Sequence, residues 1–149
     1  VTAAQPILAS VQVGRDAAVI SLDELDHTPD AHDFVGGDHD VPFSVILIHT
    51  PAGGGPKVHR HPYPEVFIVD AGEATFRLGD ATRHVTAGHV VVGPSMVPHG
   101  FTNSGSSELR IVAIHGSPSF MTEWLDGAGG AWISKRRAAS TDERGSEGR

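Results

Sequence analysis

Residues 43–114 consist of short apolar runs, each of which ends at a cluster of Gly, Pro, Asn or Asp residues. Apolar residues at helical spacings are missing from this stretch. Short runs separated by frequent turn residues are typical of an all-β sandwich or barrel. The sequence therefore predicts strands at 43–49, 58–61, 65–71, 73–78, 83–86, 90–92, 100–103 and 109–115.

The remaining residues flank this predicted barrel. We expect residues 1–42 to form an arm of strand and loop packed on the barrel, which spans 43–117. Residues 118–134 predict a short helix, because large apolar side chains recur there at helical spacings. Residues 135–149 are polar and of mixed charge, so we expect a disordered tail. The apolar side chains of the predicted helix are Phe120, Met121, Trp124 and Leu125.

The charge balance argues against a nucleic-acid partner. The formal charge is −7, whereas proteins that bind phosphate backbones present clustered Lys and Arg. No apolar run approaches the about 20 residues that a membrane-spanning helix needs, and the first 22 residues lack the features of a secretory signal. The sequence therefore predicts that the protein binds neither nucleic acid nor a membrane. It also predicts a cytoplasmic location.

The chain has no cysteine and ten histidines, so its strong metal ligands can only be His, Asp and Glu. His59 and His61 are one residue apart, and on an extended chain both point to one face. Glu65 follows a Pro-Tyr-Pro bend that can return its carboxylate to the same ion, and barrel closure would place His99 opposite. This ligand set suits divalent Fe, Mn, Ni, Co, Cu or Zn, and in an octahedral site it leaves two positions open.

These residues resemble those of the cupins, whose first motif is Gly-x5-His-x-His-x3-Glu-x6-Gly. Five residues fit that motif at every position. The second cupin motif, Gly-x5-Pro-x-Gly-x2-His-x3-Asn, fits except that Met96 replaces the internal glycine, which we expect to alter the local backbone. The first motif is matched by Gly53, His59, His61, Glu65 and Gly72, and the second by Gly88, Pro94, His99 and Asn103.

The resemblance implies a double-stranded β-helix, the RmlC-like jelly-roll barrel of the cupins. It also implies one metal ion held by His59, His61, Glu65 and His99, and frequent dimerisation through edge strands. The chain is thus expected to form a homodimer. Fold alone does not fix the reaction, because one fold hosts many activities.

Alternation along the strands predicts an apolar pocket beside the open metal positions. Such a pocket favours an aromatic or largely apolar small molecule over a sugar phosphate. The residues expected to line it are Phe67, Met96, Phe101, Val45 and Leu47.

Other histidines have weaker claims to a role. His49 and His115 lie at the ends of predicted strands. They either face the cavity, where they would contact the metal ligands or carry protons, or, as we expect, are exposed. His84 and His89 are expected on the surface. The acidic stretch 23–40 contains three histidines that form either a second metal site or, as we expect, a solvated loop. These three are His27, His32 and His39.

The first functional hypothesis is a dioxygenase of an enolic or phenolic small molecule, resembling the quercetinase-like single-domain cupins. Glu65 would then complete the metal shell and accept a substrate proton as the catalytic residue. The second hypothesis is a non-redox isomerase, cyclase or lyase that uses the ion as a Lewis acid. The third is a non-catalytic module that binds a small ligand.

Overall fold

The protein is described by a computed structural model that covers residues 17–125 and 132–134. These residues form twelve strands and two short 3-10 turns, Leu22–Glu24 and Gly36–His39. The strands are β1 (Asp26–Thr28), β2 (Ala31–Phe34), β3 (Ser44–Thr50), β4 (His59–Arg60), β5 (Glu65–Ala71), β6 (Glu73–Leu78), β7 (Ala81–Thr86), β8 (His89–Gly93), β9 (His99–Asn103), β10 (Leu109–His115), β11 (Met121–Trp124) and β12 (Trp132–Ser134).

The strands form two six-stranded antiparallel sheets. The first has the order β1-β2-β3-β10-β5-β8, and the second has the order β12-β11-β4-β9-β6-β7. This arrangement confirms the all-β class and the double-stranded β-helix. Because neighbours in the sheets are often distant in sequence, residues from remote motifs meet inside the barrel.

The core lies between the two sheets and follows the alternation of each strand. On β10, Leu109, Ile111 and Ala113 are buried while the intervening residues face outward. The aromatic centre of the core is formed by Phe76 and Phe101, whose ring centroids are 5.1 Å apart. Burial of each such side chain contributes about 1.5–3 kcal/mol to folding, so the aromatic core holds the two sheets together.

The prediction of a helix after the barrel is wrong. Residues 121–124 form β11, which pairs with β4 through Glu123 opposite Arg60 and Trp124 opposite His59. The Nε atom of Arg60 also donates to Glu123 Oε2 at 2.6 Å. Sheet pairing and this ion pair outweigh the local helical spacing, because intrinsic propensity yields to tertiary contacts.

The expectation of an irregular acidic loop before the barrel is also wrong for residues 26–34. These residues form β1 and β2, and β2 pairs along β3. Ala31 and Asp33 are buried, while His32 and Phe34 alternate with them toward the other face. The polar composition gave no signal for β2, because only two residues of this strand face inward.

Two expectations concern residues beyond the described part. The predicted tail, 135–149, lies outside the described residues, as do residues 1–16 of the predicted arm. Among the residues that the structure does describe, no helix is long and apolar enough to cross a membrane.

Met96 adopts a left-handed backbone conformation, with φ of 67°, in the turn between β8 and β9. Its N–H donates to His61 O at 2.7 Å, which ties this turn to the chain after β4. A glycine would adopt this φ without the contact between Cβ and the carbonyl that disfavours it in other residues. The methionine therefore adopts the positive φ that glycine accepts most readily, at a cost in strain.

We expect Met96→Gly to raise the free energy of unfolding by about 1 kcal/mol, because the left-handed conformation disfavours a residue with a Cβ atom. The change is measured by urea denaturation and by a rise in Tm of a few degrees. Met96→Ala, which keeps the Cβ atom, is the matched control and should show no comparable gain. Equal stabilisation of both variants would show that loss of the exposed side chain, not backbone strain, is responsible.

Candidate metal centre and cavity

Four side chains from three strands and their ends converge inside the barrel. His59 lies on β4, His61 directly after it, Glu65 at the start of β5 and His99 at the start of β9. One ligand atom from each lies within 4.8 Å of the others, and each residue is at most 7% exposed. The structure thus brings together all four residues that the sequence proposed as ligands.

The local fold explains this convergence. His59 lies opposite His99 in the pairing of β4 with β9, so two distant motifs are joined by one sheet. The Pro62-Tyr63-Pro64 bend then carries the chain from one sheet to the other, because Glu65 begins a strand of the first sheet. The backbone at Gly55 passes close to β9 in the same region, and only glycine fits there because a Cβ atom at this position would lie 2.1 Å from Phe101 O.

The three imidazoles are oriented by the same kind of hydrogen bond. Each Nδ1 lies 2.6 to 3.0 Å from a backbone carbonyl oxygen. A carbonyl only accepts, so each Nδ1 carries a proton, and the neutral form of each ring would present the lone pair of Nε2. The pairs are His59 with Lys57 O, His61 with Met121 O, and His99 with Val97 O.

This arrangement fits a cation. Glu65 Oε1 lies 3.0 Å from His61 Nε2 and 3.1 Å from His99 Nε2. The His61 Nε2 atom is buried and makes no hydrogen bond, so in a neutral ring its lone pair faces a carboxylate oxygen. A divalent ion held by His61, His99 and Glu65 would relieve that repulsion and satisfy the buried nitrogen.

The protonation states agree with a ligand set. Burial lowers the pKa of His59 from 6.5 to about 4, so this imidazole is neutral near pH 7. Burial alone would raise the pKa of Glu65, but hydrogen bonding to its carboxylate, first of all from His115, outweighs burial and holds that pKa well below its usual range. The site therefore contains a charged carboxylate and a histidine ready to donate a lone pair.

His115 belongs to this site, and the expectation that it is exposed is wrong. It is 3% exposed, and its Nε2 lies 3.1 Å from Glu65 Oε2. The register explains the burial, because His115 pairs with Glu65 on β5 and shares the inward parity of Leu109 on β10. That parity was the available sequence signal.

Tyr63 is a second residue that the sequence analysis missed. Its hydroxyl lies 3.0 Å from His115 Nδ1 and accepts the N–H of Met121 at 3.3 Å. Burial raises the pKa of Tyr63 above its ordinary value, so the hydroxyl keeps its proton and can donate it to Nδ1. The Nε2–H of His115 then faces Glu65 Oε2. The two oxygens of Glu65 thus have different partners: His61 and His99 on one side, His115 on the other.

A cavity of about 480 Å³ opens beside the ligands. Phe67 and Phe101 lie in its wall, as expected, but Met96, Val45 and Leu47 do not. The other cavity residues are Thr28, Asp30, Ala31, Asp33, Ile46, Ile48, Thr50, Gly55, Pro56, His59, His61, Glu65, His115, Phe120, Thr122 and Trp124.

The direction in which alternate residues of β3 point explains why Val45 and Leu47 do not line the cavity. Ile46, Ile48 and Thr50 face the cavity, so Val45 and Leu47 point to the opposite face of the sheet. Residues 45–48 are all apolar, so hydrophobicity does not indicate which of them face the cavity. Met96 is 42% exposed in its turn.

The remaining histidines do not join this site. His84 and His89 are exposed, as expected. His49 is half-buried instead of exposed and contacts His32. His39 stacks on Phe34, with ring centroids 5.0 Å apart.

Residues 46–115 match the family model for the Cupin domain. Together with the double-stranded β-helix and the motif residues within it, this match shows that residues 46–115 are a cupin domain. The family match ends at His115, so β11 and β12 lie beyond it.

Comparisons with individual proteins agree with this assignment. The H2HPP isomerase of Bacillus subtilis is 31% identical over 94 residues, which cover 62% of this chain and 38% of the isomerase. The chain therefore matches well under half the length of this curated relative. A cupin-like protein from Thermotoga maritima is 25% identical with a TM-score of 0.56, over 64% of this chain and 74% of that protein.

A conserved protein with a double-stranded β-helix domain from Klebsiella pneumoniae shows the same fold. Its TM-score is 0.56 at 19% identity, and the superposition covers 81% of this chain and 99% of that protein. The barrel architecture is therefore shared well beyond recognisable sequence similarity.

We expect metal-free protein to lose stability as the pH falls from 6.5 to 4, because His59 has a pKa of about 4 in the fold and an ordinary value of 6.5. The unfolded chain binds the proton more readily, so this contribution is present above pH 6.5 and is lost on acidification. The difference corresponds to about 3 kcal/mol.

Urea denaturation of chelator-treated protein at several pH values measures this loss. His59→Gln should reduce the pH dependence, whereas His84→Gln, which changes an exposed histidine, should preserve it. Superimposable pH profiles for His59→Gln and the unaltered protein would contradict the assignment.

Proposed function

We propose that the protein is a metal-dependent enzyme that acts on a small organic molecule inside the barrel. The observation that carries this proposal is the buried cluster of three histidines and one glutamate, of which His59, His61 and Glu65 line a cavity of about 480 Å³. A cavity of this volume is in the range that binds small ligands.

His59, His61, Glu65 and His99 would hold one divalent transition metal per chain, chosen from Fe, Mn, Ni, Co, Cu and Zn. When bound, such an ion polarises an enol or phenol oxygen, and a redox-active ion also exchanges electrons with O2. The backbone carbonyls that accept from the histidine Nδ1 atoms fix the orientation of the rings.

The cavity wall suits an apolar, partly aromatic substrate. Phe67, Phe101, Phe120 and Trp124 contribute aromatic surface, and Ile46 and Ile48 of β3 add aliphatic surface. These side chains exclude water from the reacting end of the molecule and bind a ring through packing contacts.

Glu65 is the proposed proton acceptor. Its carboxylate lies between the metal ligands and His115, so a substrate hydroxyl bound at the cluster lies within reach of Glu65 oxygen atoms. His115, oriented by the Tyr63 hydroxyl, holds Oε2 and can share the proton. A carboxylate and an imidazole in contact are groups that commonly carry out acid–base catalysis.

The reaction that we propose first is the dioxygenation of an enolic or phenolic, flavonol-like substrate. The ligand set is compatible with redox-active ions, and the apolar cavity matches such a ring system.

A second candidate is a non-redox isomerase, cyclase or lyase reaction on an enolisable substrate. The specific observation in its favour is the 31% identity to the H2HPP isomerase over 94 residues. This chemistry needs only a polarised oxygen and a proton carrier, and Glu65 with His115 provides the carrier.

We expect protein dialysed against a chelating resin to retain about one tightly held metal ion per chain, as measured by elemental analysis. His59→Ala/His61→Ala should lose it, because half of the proposed ligands are removed, whereas the exposed pair His84→Ala/His89→Ala should retain it. His115→Gln should keep the fold and weaken metal binding or activity about 10–100-fold. Absence of metal from the unaltered protein, even after reloading, would refute the metal-dependent proposal.

Oxygen-electrode assays of the loaded protein with flavonols and catechols separate the candidate reactions. Oxygen uptake that is lost in the His59→Ala/His61→Ala variant supports the dioxygenase. Turnover without oxygen uptake supports the isomerase class, and binding without turnover supports a ligand-binding module.

We also propose that the protein is a homodimer. The outer face of the first sheet carries two apolar cross-strand rows, of which Ile68, Val90 and Val92 are exposed. In a chain of net charge −7, these two uncharged rows let two copies meet without like-charge repulsion. The rows are Leu47, Val112, Ile68 and Val90, and Val45, Ile114, Val66 and Val92.

Val90→Glu/Val92→Glu should convert the dimer to a monomer in analytical ultracentrifugation, because it places four charges in the proposed interface. Thr82→Glu on the exposed strand β7 is the control and should leave the mass unchanged. A monomeric unaltered protein would disprove the dimer.

A further inference from the structure

We propose a second divalent-metal site on the outer face of the first sheet, formed by His32, His49 and His27. An all-imidazole site of this kind takes Zn²⁺, Ni²⁺ or Cu²⁺ in preference to Mn²⁺ or Fe²⁺. The proposal does not depend on the enzymatic function of the barrel, because none of these residues lines the cavity.

The sheet brings the three histidines together from three adjacent strands. His27 on β1 lies directly opposite His32 on β2, and His32 lies opposite Leu47 on β3. His49 is two residues beyond Leu47, so it occupies the diagonal position on the same face. The ring of His32 lies 5.1 Å from that of His27 and 5.2 Å from that of His49.

Two nitrogen atoms have the separation of metal ligands. His49 Nε2 and His32 Nδ1 form a hydrogen bond at 3.2 Å, so one of the two nitrogens carries a proton that a bound ion would displace. Zinc–nitrogen distances of about 2.0–2.1 Å at a tetrahedral angle place two ligand nitrogens about 3.3 Å apart. The two nitrogens therefore already have the separation of ligands to one ion, and binding would require loss of the bridging proton and rotation of the rings toward the ion.

His27 can supply the third ligand. Its Nδ1 lies 2.9 Å from Leu25 O, which accepts the proton of that nitrogen and leaves the Nε2 lone pair available. The ring is stacked on His32 at an interplanar angle of 29°, so a side-chain rotation is needed to bring Nε2 to the ion.

The exterior site should be weaker than the barrel site. Within the described ranges, only the barrel cluster has three or more ligand atoms within 4.8 Å of one another. Arg110 also lies opposite His49 on β10, where its positive charge opposes a cation. Its guanidinium is 2.9 Å from Glu108 Oε1, and this ion pair offsets part of that repulsion.

A bound ion would act on the barrel mouth from outside. The inward residues of the β1–β2 hairpin, Ala31 and Asp33, line the cavity, and so do Thr28 and Asp30. An ion held by His27, His32 and His49 would join this hairpin to β3 and stabilise the wall that it forms. Ligand binding to the folded state raises stability by mass action.

The test is a titration of the chelator-treated full chain with Zn²⁺ by calorimetry, with Cu²⁺ spectroscopy to detect imidazole nitrogen. We expect about two equivalents of Zn²⁺, one tight and one weaker, and a further rise in Tm as the weaker site fills. His32→Gln/His49→Gln should abolish the weaker equivalent and its effect on Tm. His84→Gln/His89→Gln should retain both.

His59→Ala/His61→Ala separates this proposal from the barrel proposal, because it should lose the tight equivalent and keep the weaker one. Circular dichroism establishes that each variant is folded, and the single variant His49→Gln provides a milder replacement if the double variant is not. Binding of a single equivalent that is lost in folded His59→Ala/His61→Ala would overturn the proposal. Survival of the weaker equivalent in folded His32→Gln/His49→Gln, or in folded His49→Gln, would also overturn it.

Discussion

The buried carboxylate of Glu65 is the group on which the rest of the site depends. A charge at this depth is stable only where nearby groups compensate it, and three histidines from different parts of the chain face its two oxygens. His61 and His99 approach Oε1, and His115 approaches Oε2. The barrel topology makes this possible, since residues that are tens of positions apart in sequence begin or end strands at one end of the cavity.

The sequence predicted those parts of the structure in which residue type and spacing are compatible with a single arrangement. The alternating strands of residues 65–78 and 109–115, and the four ligands, follow from periodicity and motif spacing. The phase of β3 did not, because residues 45–48 are apolar on both faces. One face packs on the core, and the other belongs to the outer surface that we propose as a dimer interface.

Two other differences arise from contacts that local sequence does not contain. β11 is extended because it pairs with β4, and no property of residues 121–124 alone reveals that partner. The role of His115 depends on its pairing with Glu65 and on the Tyr63 hydroxyl. Its inward parity on β10 was visible, but the neighbours that make this parity important come from other strands.

The hydrogen bond from His61 Nδ1 to Met121 O has a consequence for where the working unit of this protein ends. The family match stops at His115, yet Met121 orients one of the ligands within that match. Trp124 also contacts the His59 ring, with centroids 4.8 Å apart. The boundary of the family match and the boundary of the chemical centre therefore differ, and a shortened chain ending at residue 117 would retain every proposed ligand while losing the support of two of them.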